Sequence, residues 1–141
     1  MTGIILTGHG RFAEGMYSAV KLIAGEQECF ICVNFEHEPE QLENDMKAAI
    51  ERLSDCERVI VFCDLAGGSP FKTAGMLSAE RADMDVIAGV NLPMLCETVL
   101  MRQYVSEADS LASNAVKTGK EQVILLGDIV LDEEEDPKEG I

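Results

Sequence analysis

The chain has 141 residues, 47 % of them apolar, with 26 acids against 11 bases for a net charge of −15. That length suits a single domain with a sizeable core, and the apolar content excludes disorder throughout. The acidic balance argues against nucleic acid or an anionic membrane as main partner, because both need a basic face.

Taken in chain order, the hydropathy pattern switches between strand-like and helix-like. Gly3–Thr7 (GIILT) is a short apolar run closed by Gly8, consistent with a buried strand. Arg11–Ala24 follows with Ala13, Met16, Tyr17, Val20, Ile23 and Ala24 at three-and-four spacing, an amphipathic helix stopped by Gly25. Cys29–Phe35 reads as a second strand and Glu40–Leu53 as a second helix, with Pro39 near its start. Val59–Cys63 (VIVFC) is rich in β-branched residues and suits a central strand. Pro70–Arg81 is a third helix and Asp85–Gly89 a fourth strand. Helical patterns then cover Pro93–Arg102 and Glu107–Thr118, the latter ended by Gly119, before a last short strand at Val123–Leu126.

Acid is concentrated beyond that point. Residues 127–141 hold seven acids and one lysine, against nineteen acids and ten bases in residues 1–126. The run Asp132–Asp136 has no apolar residue to bury. A domain over 1–126 and an acidic, disordered tail over 127–141 are therefore expected. The longest stretch without a charge, Val86–Cys96, has 11 residues. A bilayer span takes about 20. No basic segment precedes the apolar run of MTGIILTGHG, so no signal peptide is read there and a cytoplasmic protein is expected. The five cysteines are odd in number, and four stand in apolar surroundings, which favours buried thiols over disulfides.

Strands that are apolar on both faces and alternate with helices predict a three-layer αβα fold around a mostly parallel, doubly wound sheet. Ligands of such sheets sit beyond the carboxyl ends of the strands, where strand order reverses. Two of those ends carry unusual residues. After strand 1 comes Gly8-His9-Gly10, whose imidazole can stand exposed and mostly neutral at pH 7. The plain reading is a loop histidine in a tight turn. After strand 3 comes Asp64-Leu65-Ala66-Gly67-Gly68-Ser69-Pro70. Ser69 then Pro70 reads as an N-cap and the first residue of a helix, and the amides of Gly67, Gly68 and Ser69 can receive an anion such as a phosphoryl group. The plain reading is a glycine turn that caps a helix. With strands 1 and 3 adjacent, His9 and Asp64 come from neighbouring strand ends. A carboxylate there fixes the imidazole tautomer and leaves the other ring nitrogen as nucleophile. Histidine, carboxylate and anion hole together suit phosphoryl transfer through a phosphohistidine.

The sequence resembles the IIA domains of the mannose-type family of the bacterial phosphoenolpyruvate-dependent sugar phosphotransferase system (PTS). The resemblance rests on the opening IILTGHGRFAEGM, the helix end LIAGEQE, the loop VFCDLAGGSPFKTA and the segment VIAGVNLPMLCETVL. It implies a cytoplasmic phosphotransferase without metal or cofactor. His9 would take phosphate from the histidine of the phosphocarrier protein HPr and pass it to the cognate IIB component. Asp64 would bond the His9 ring, and Ser69 would lie near the phosphoryl group. The membrane would be reached only through the IIC and IID components. The resemblance also implies a homodimer in which a C-terminal strand, here Val123–Leu126, crosses to the partner's sheet. Leu65 departs from the pattern, since some relatives carry a hydroxyl residue there.

Other features have plainer readings. Cys29-Phe30-Ile31-Cys32 is a CxxC within a strand pattern and reads as core cysteines, because a thioredoxin-type pair needs a helix N-terminus to lower a thiol pKa. Cys63 reads as core, His37 as a surface loop residue, and Met76, Met84, Met94 and Met101 as core or interface fillers. Asn91-Leu92-Pro93-Met94 is a helix start on residue pattern alone; the resemblance makes it a wall of the site or a dimer contact. Arg11 and Lys72 stand where they could help an acidic protein receive an anion. A receiver-type signalling domain phosphorylated on Asp64 is the main alternative, but strand 1 lacks the acids that hold Mg²⁺ there. A flavodoxin-like binding module would want Ser or Thr in the loop after strand 1, and GHGRFAEGM has none.

Overall fold

The computed structural model describes residues 1–105 and 108–129. Four strands alternate with helices as β1 (Gly3–His9), α1 (Phe12–Ala24), β2 (Phe30–Phe35), α2 (Pro39–Arg52), β3 (Val59–Cys63), α3 (Ser69–Ser78), β4 (Met84–Ala88), α4 (Leu92–Met101) and α5 (Ala108–Glu121). A 3-10 turn over Leu126–Asp128 closes the described chain. The sheet order is β2-β1-β3-β4, and every pairing is parallel. The order reverses beside β1, so the reversal point lies between the ends of β1 and β3.

Two-residue alternation decides which helices cover which face. Ile4 and Leu6 of β1, with Ile60 and Phe62 of β3, pack with Ala13 and Val20 of α1, Leu95 and Val99 of α4, and Leu111 and Ala115 of α5. Ile5, Val61 and Cys63 point the other way, onto Leu42, Met46 and Ile50 of α2 and Ala74 of α3. Ile4, Ile5 and Leu6 are all fully buried, which is why β1 reads as a continuous apolar run rather than an alternating one. Truncating a buried aromatic such as Phe62 to alanine costs about 3–5 kcal/mol. Among the described residues no helix is long and apolar enough to cross a membrane.

The boundaries shift in instructive places. Gly25 closes α1 as expected, with φ 84 and its amide on the Lys21 carbonyl. Gly119 does not end α5, which runs on to Glu121. A Cβ at Gly119 would fall 2.2 Å from Met94 Cε, so this glycine serves close packing of α5 on α4 instead. Val123–Leu126 is not a strand in this chain. It is exposed, Val123 at 78 %, and Leu126 already opens the 3-10 turn; a strand exists only by pairing, and no described residue pairs with it. The acidic run Asp132–Asp136 lies outside the described residues. All five cysteines are free, but only Cys63 is buried; Cys29 is exposed, contrary to the expectation that it belongs to the core.

Candidate functional site

His9 is the last residue of β1 and Asp64 the first after β3, so the register Thr7↔Cys63 sets them across from one another at the carboxyl edge of the sheet. The Asp64 carboxylate Oδ2 accepts two bonds from His9, one from its main-chain amide at 2.9 Å and one from ring Nδ1 at 2.7 Å. Oδ1 accepts the Leu65 amide at 2.9 Å. The His9 side chain is 46 % exposed and that of Asp64 only 9 %. Burial pushes the Asp64 carboxyl up, but the amide and ring of His9 and the amide of Leu65 together outweigh it and hold the group below the ordinary carboxylate range. With both oxygens engaged, Asp64 is a poor phosphoryl acceptor, which removes the main support for a receiver-type reading. A carboxylate on Nδ1 fixes the tautomer that leaves Nε2 unprotonated and able to act as a nucleophile.

Glycines make this geometry possible at two positions. A Cβ at Gly8 would meet Phe12 Cδ1 at 2.6 Å and Asp64 Cβ and Cγ at 3.0 Å, so only glycine lets Asp64 lie against β1. Gly68 has φ 90, and a Cβ there would stand 2.9 Å from both Cε1 and Nε2 of His9. The reactive edge of the ring therefore faces the loop that opens α3. On another side Phe35, the last residue of β2, meets the ring edge-on at 5.6 Å between centroids and 65° between planes.

Sequence reasoning placed the cap of α3 one residue late. Gly68 is the N-cap, and Ser69 is the first helical residue, with no side-chain capping bond. The Ser69 hydroxyl is thus not consumed by the helix. The amide of Ser69 stands at the positive end of α3 within the loop that Nε2 faces, whereas Gly67 stands further off, with a Cβ position 3.7 Å from Leu65 Cδ1. The structure brings His9, Asp64 and Gly68 together and sets Ser69 and Gly67 in the same loop. Gly8 and Phe35 complete the site. Phe35 could have been found only by pairing strand ends, since β2 offers no motif.

The surroundings revise other expectations. Arg11 pairs with Glu14, Nη2 to Oε2 at 2.7 Å, on the exposed side of the start of α1. Lys72 borders a groove with Ser69, Glu40 and Glu43. Asn91 caps α4 through Met94 N–H at 3.2 Å and donates to the Gly119 carbonyl at 2.9 Å, the plain helix-start reading. His37 is exposed, as expected of a loop residue. Met84 and Met94 are buried, whereas Met76 is 60 % exposed. Burial pushes the Cys63 thiol up to about 12, with the Asp64 charge adding to it, so this neighbour of the site is inert. Among the described residues no group of three or more His, Cys, Asp or Glu could hold a metal ion.

A parallel α/β domain that clamps one imidazole by a carboxylate and turns its free nitrogen toward a helix start defines a histidine-centred site. Comparison with known proteins gives the class a family. The family model described as "PTS system fructose IIA component" matches residues 3–116, and the chain belongs to that family of phosphotransferase-system components. It is 34 % identical over 122 residues to the mannose-specific EIIAB component of Escherichia coli K12, 85 % of this chain but 38 % of that protein. It is 31 % identical to the fructose-specific EIIA component of Bacillus subtilis, over 79 % of this chain and 77 % of that one. Among solved structures, an EIIA component from Streptococcus agalactiae superposes with a TM-score of 0.83 at 31 % identity, covering 90 % of this chain and 98 % of its own. A mannose/sorbose-specific IIA subunit from Enterococcus faecalis gives 0.78 at 27 %, with 94 % and 97 % covered.

Proposed function

We propose that the chain is a cytoplasmic phosphocarrier of sugar uptake, loaded on His9 Nε2 by phospho-HPr and unloaded onto a histidine of the cognate IIB component. The observation that carries this reading is the 2.7 Å bond from His9 Nδ1 to Asp64, with Nε2 turned to the start of α3. In the forward step Nε2 attacks the phosphorus, the bond to the donor nitrogen breaks, and the ring becomes positive. Asp64 stabilises that charge without moving. The amides of Gly67, Gly68 and Ser69 and the Ser69 hydroxyl receive the phosphoryl oxygens. Transfer to IIB reverses the sequence. The membrane is reached only through IIC and IID.

Two further parts belong to this reading. The domain spans residues 1–126, followed by the acidic tail 127–141. The protein works as a homodimer in which Val123–Leu126 adds to the partner's sheet; four consecutive exposed apolar residues, and sheet edges at β2 and β4 that no other strand among the described residues covers, support it. The test is to incubate the protein with phosphoenolpyruvate, enzyme I and HPr, and to locate the modified residue. One phosphoryl group on His9, labile to acid and stable to alkali, is expected. His9→Ala should fold as the parent does and take no label; label retained in that variant overturns the assignment.

A further inference from the structure

The thiols lie outside the site, and two of them share an environment that the fold has built. They are not the CxxC pair of the sequence. Cys32 turns to α1, where its thiol donates to the Ala13 carbonyl at 3.6 Å, and burial pushes it up to about 11. Cys29, just before β2, instead has Cys56, just before β3, as its neighbour across the start of β1. The start of β1 runs between them. There Gly3 lacks the side chain that would crowd Cys56: a Cβ would lie 3.2 Å from Cys56 Sγ and 3.1 Å from Leu53 Cδ1. Next along β1, the Ile4 amide donates to the Cys29 carbonyl at 2.9 Å.

Cys29 has φ 52, the one positive value at a non-glycine among the described residues. Such a backbone persists only where its surroundings hold it. The holder is Arg102 at the end of α4, 4 % exposed. Its guanidinium donates to the carbonyls of Cys29 at 3.2 Å and Thr2 at 3.0 Å, and to Gln27 Oε1 at 3.1 Å. A fixed positive charge thus stands beside both sulfurs. Cys29 is exposed to reagents, and Cys56 stands half-buried behind it. Burial and the neighbouring Cys29 push the Cys56 thiol up, so Cys56 keeps its proton. The arrangement is that of an attackable thiol with a resolving partner.

We propose that Cys29 and Cys56 form a peroxide-responsive thiol–disulfide pair at the amino edge of the sheet, opposite the His9 site. The Cys29 thiolate attacks a peroxide oxygen; an S–O bond forms, the O–O bond breaks, and the departing hydroxide takes a proton to become water. Cys56 sulfur then attacks the Cys29 sulfenic acid. The S–S bond forms, and the hydroxyl leaves with the Cys56 proton as a second water. Two thiols lose two electrons and one peroxide gains them. A dithiol reductant reverses the change.

The test exposes the folded chain to stoichiometric hydrogen peroxide, alkylates the remaining thiols, and maps the digest by mass spectrometry. The expected product links the Cys29 and Cys56 peptides within one chain, about 2 Da lighter than the reduced pair, and returns to thiols with dithiothreitol. Cys56→Ser should accumulate a dimedone-trapped sulfenic acid at Cys29, and Cys29→Ser should leave Cys56 open to alkylation. A Cys29–Cys32 link, a link between chains, or five alkylated thiols after peroxide overturns the proposal.

Discussion

Adjacent glycines in the α3 loop provide a sharp test of the site. Alanine at position 68 would place Cβ 2.9 Å from His9 Cε1 and Nε2, well inside the ordinary contact of about 3.5–4.0 Å. It would also force φ 90 on a residue with a side chain, at about 1–3 kcal/mol. For a chain of this size that lowers the melting midpoint by roughly 2–12 °C. The ring cannot yield freely. Nδ1 is bonded to Asp64 Oδ2 at 2.7 Å, and Phe35 stands on another side. Clearing the new methyl swings the ring off Asp64 and forfeits a charge-assisted bond worth about 1.5–3 kcal/mol. At about 1.4 kcal/mol per decade, the rate of loading from phospho-HPr falls about 10- to 100-fold in Gly68→Ala. Gly67→Ala is the matched control. Its Cβ meets only Leu65 Cδ1 at 3.7 Å, and its φ is not positive, so stability stays within about 0.5 kcal/mol and loading changes less than about threefold. Quenched time courses with phospho-HPr and thermal melts give both readouts. Wild-type loading by Gly68→Ala, or equal losses in the two variants, refutes the ring-clearance argument.

Further outcomes follow from the same geometry. Asp64→Asn should load slowly rather than not at all, since the nucleophile remains while its orientation and charge partner are weakened. The Asp64 carboxyl is depressed in the folded chain, so its contribution to stability is complete above the unfolded value near about 3.9 and is lost as pH falls through the folded one. Urea midpoints of wild type and Asp64→Asn should therefore differ at pH 7 and converge in acid; a gap that widens in acid contradicts the assignment. Lys72→Glu should slow loading at low ionic strength and flatten its salt dependence, and unchanged rates would separate Lys72 from the docking face. Leu125→Asp should convert the dimer to a monomer in sedimentation velocity, and a dimer that survives it excludes Val123–Leu126 as the exchanged strand.

The sheet and the His9–Asp64 pair were legible because local pattern and global fold agree there. Four apolar runs closed by glycine or acid are the four strands of the sheet, and adjacency of strands 1 and 3 brings residues 9 and 64 together. Three features were not legible, each for its own reason. Ser69 looked like a cap because a Ser-Pro pair usually is one, but a left-handed Gly68 took that place. Gly119 looked like a helix stop because the sequence does not reveal that Met94 packs where its side chain would be. Phe35 acts on His9 only through the alignment of β1 with β2, which no spacing along the chain encodes.

A single oxygen, Asp64 Oδ2, holds both the main chain and the ring of His9, which closes a small loop of atoms through one residue. On the proposed reading, cargo arrives on the far nitrogen and leaves every link of that loop intact. Loading and release then proceed inside an unmoving frame. Such a carrier needs no conformational stroke, and it runs in whichever direction its neighbours' occupancy dictates.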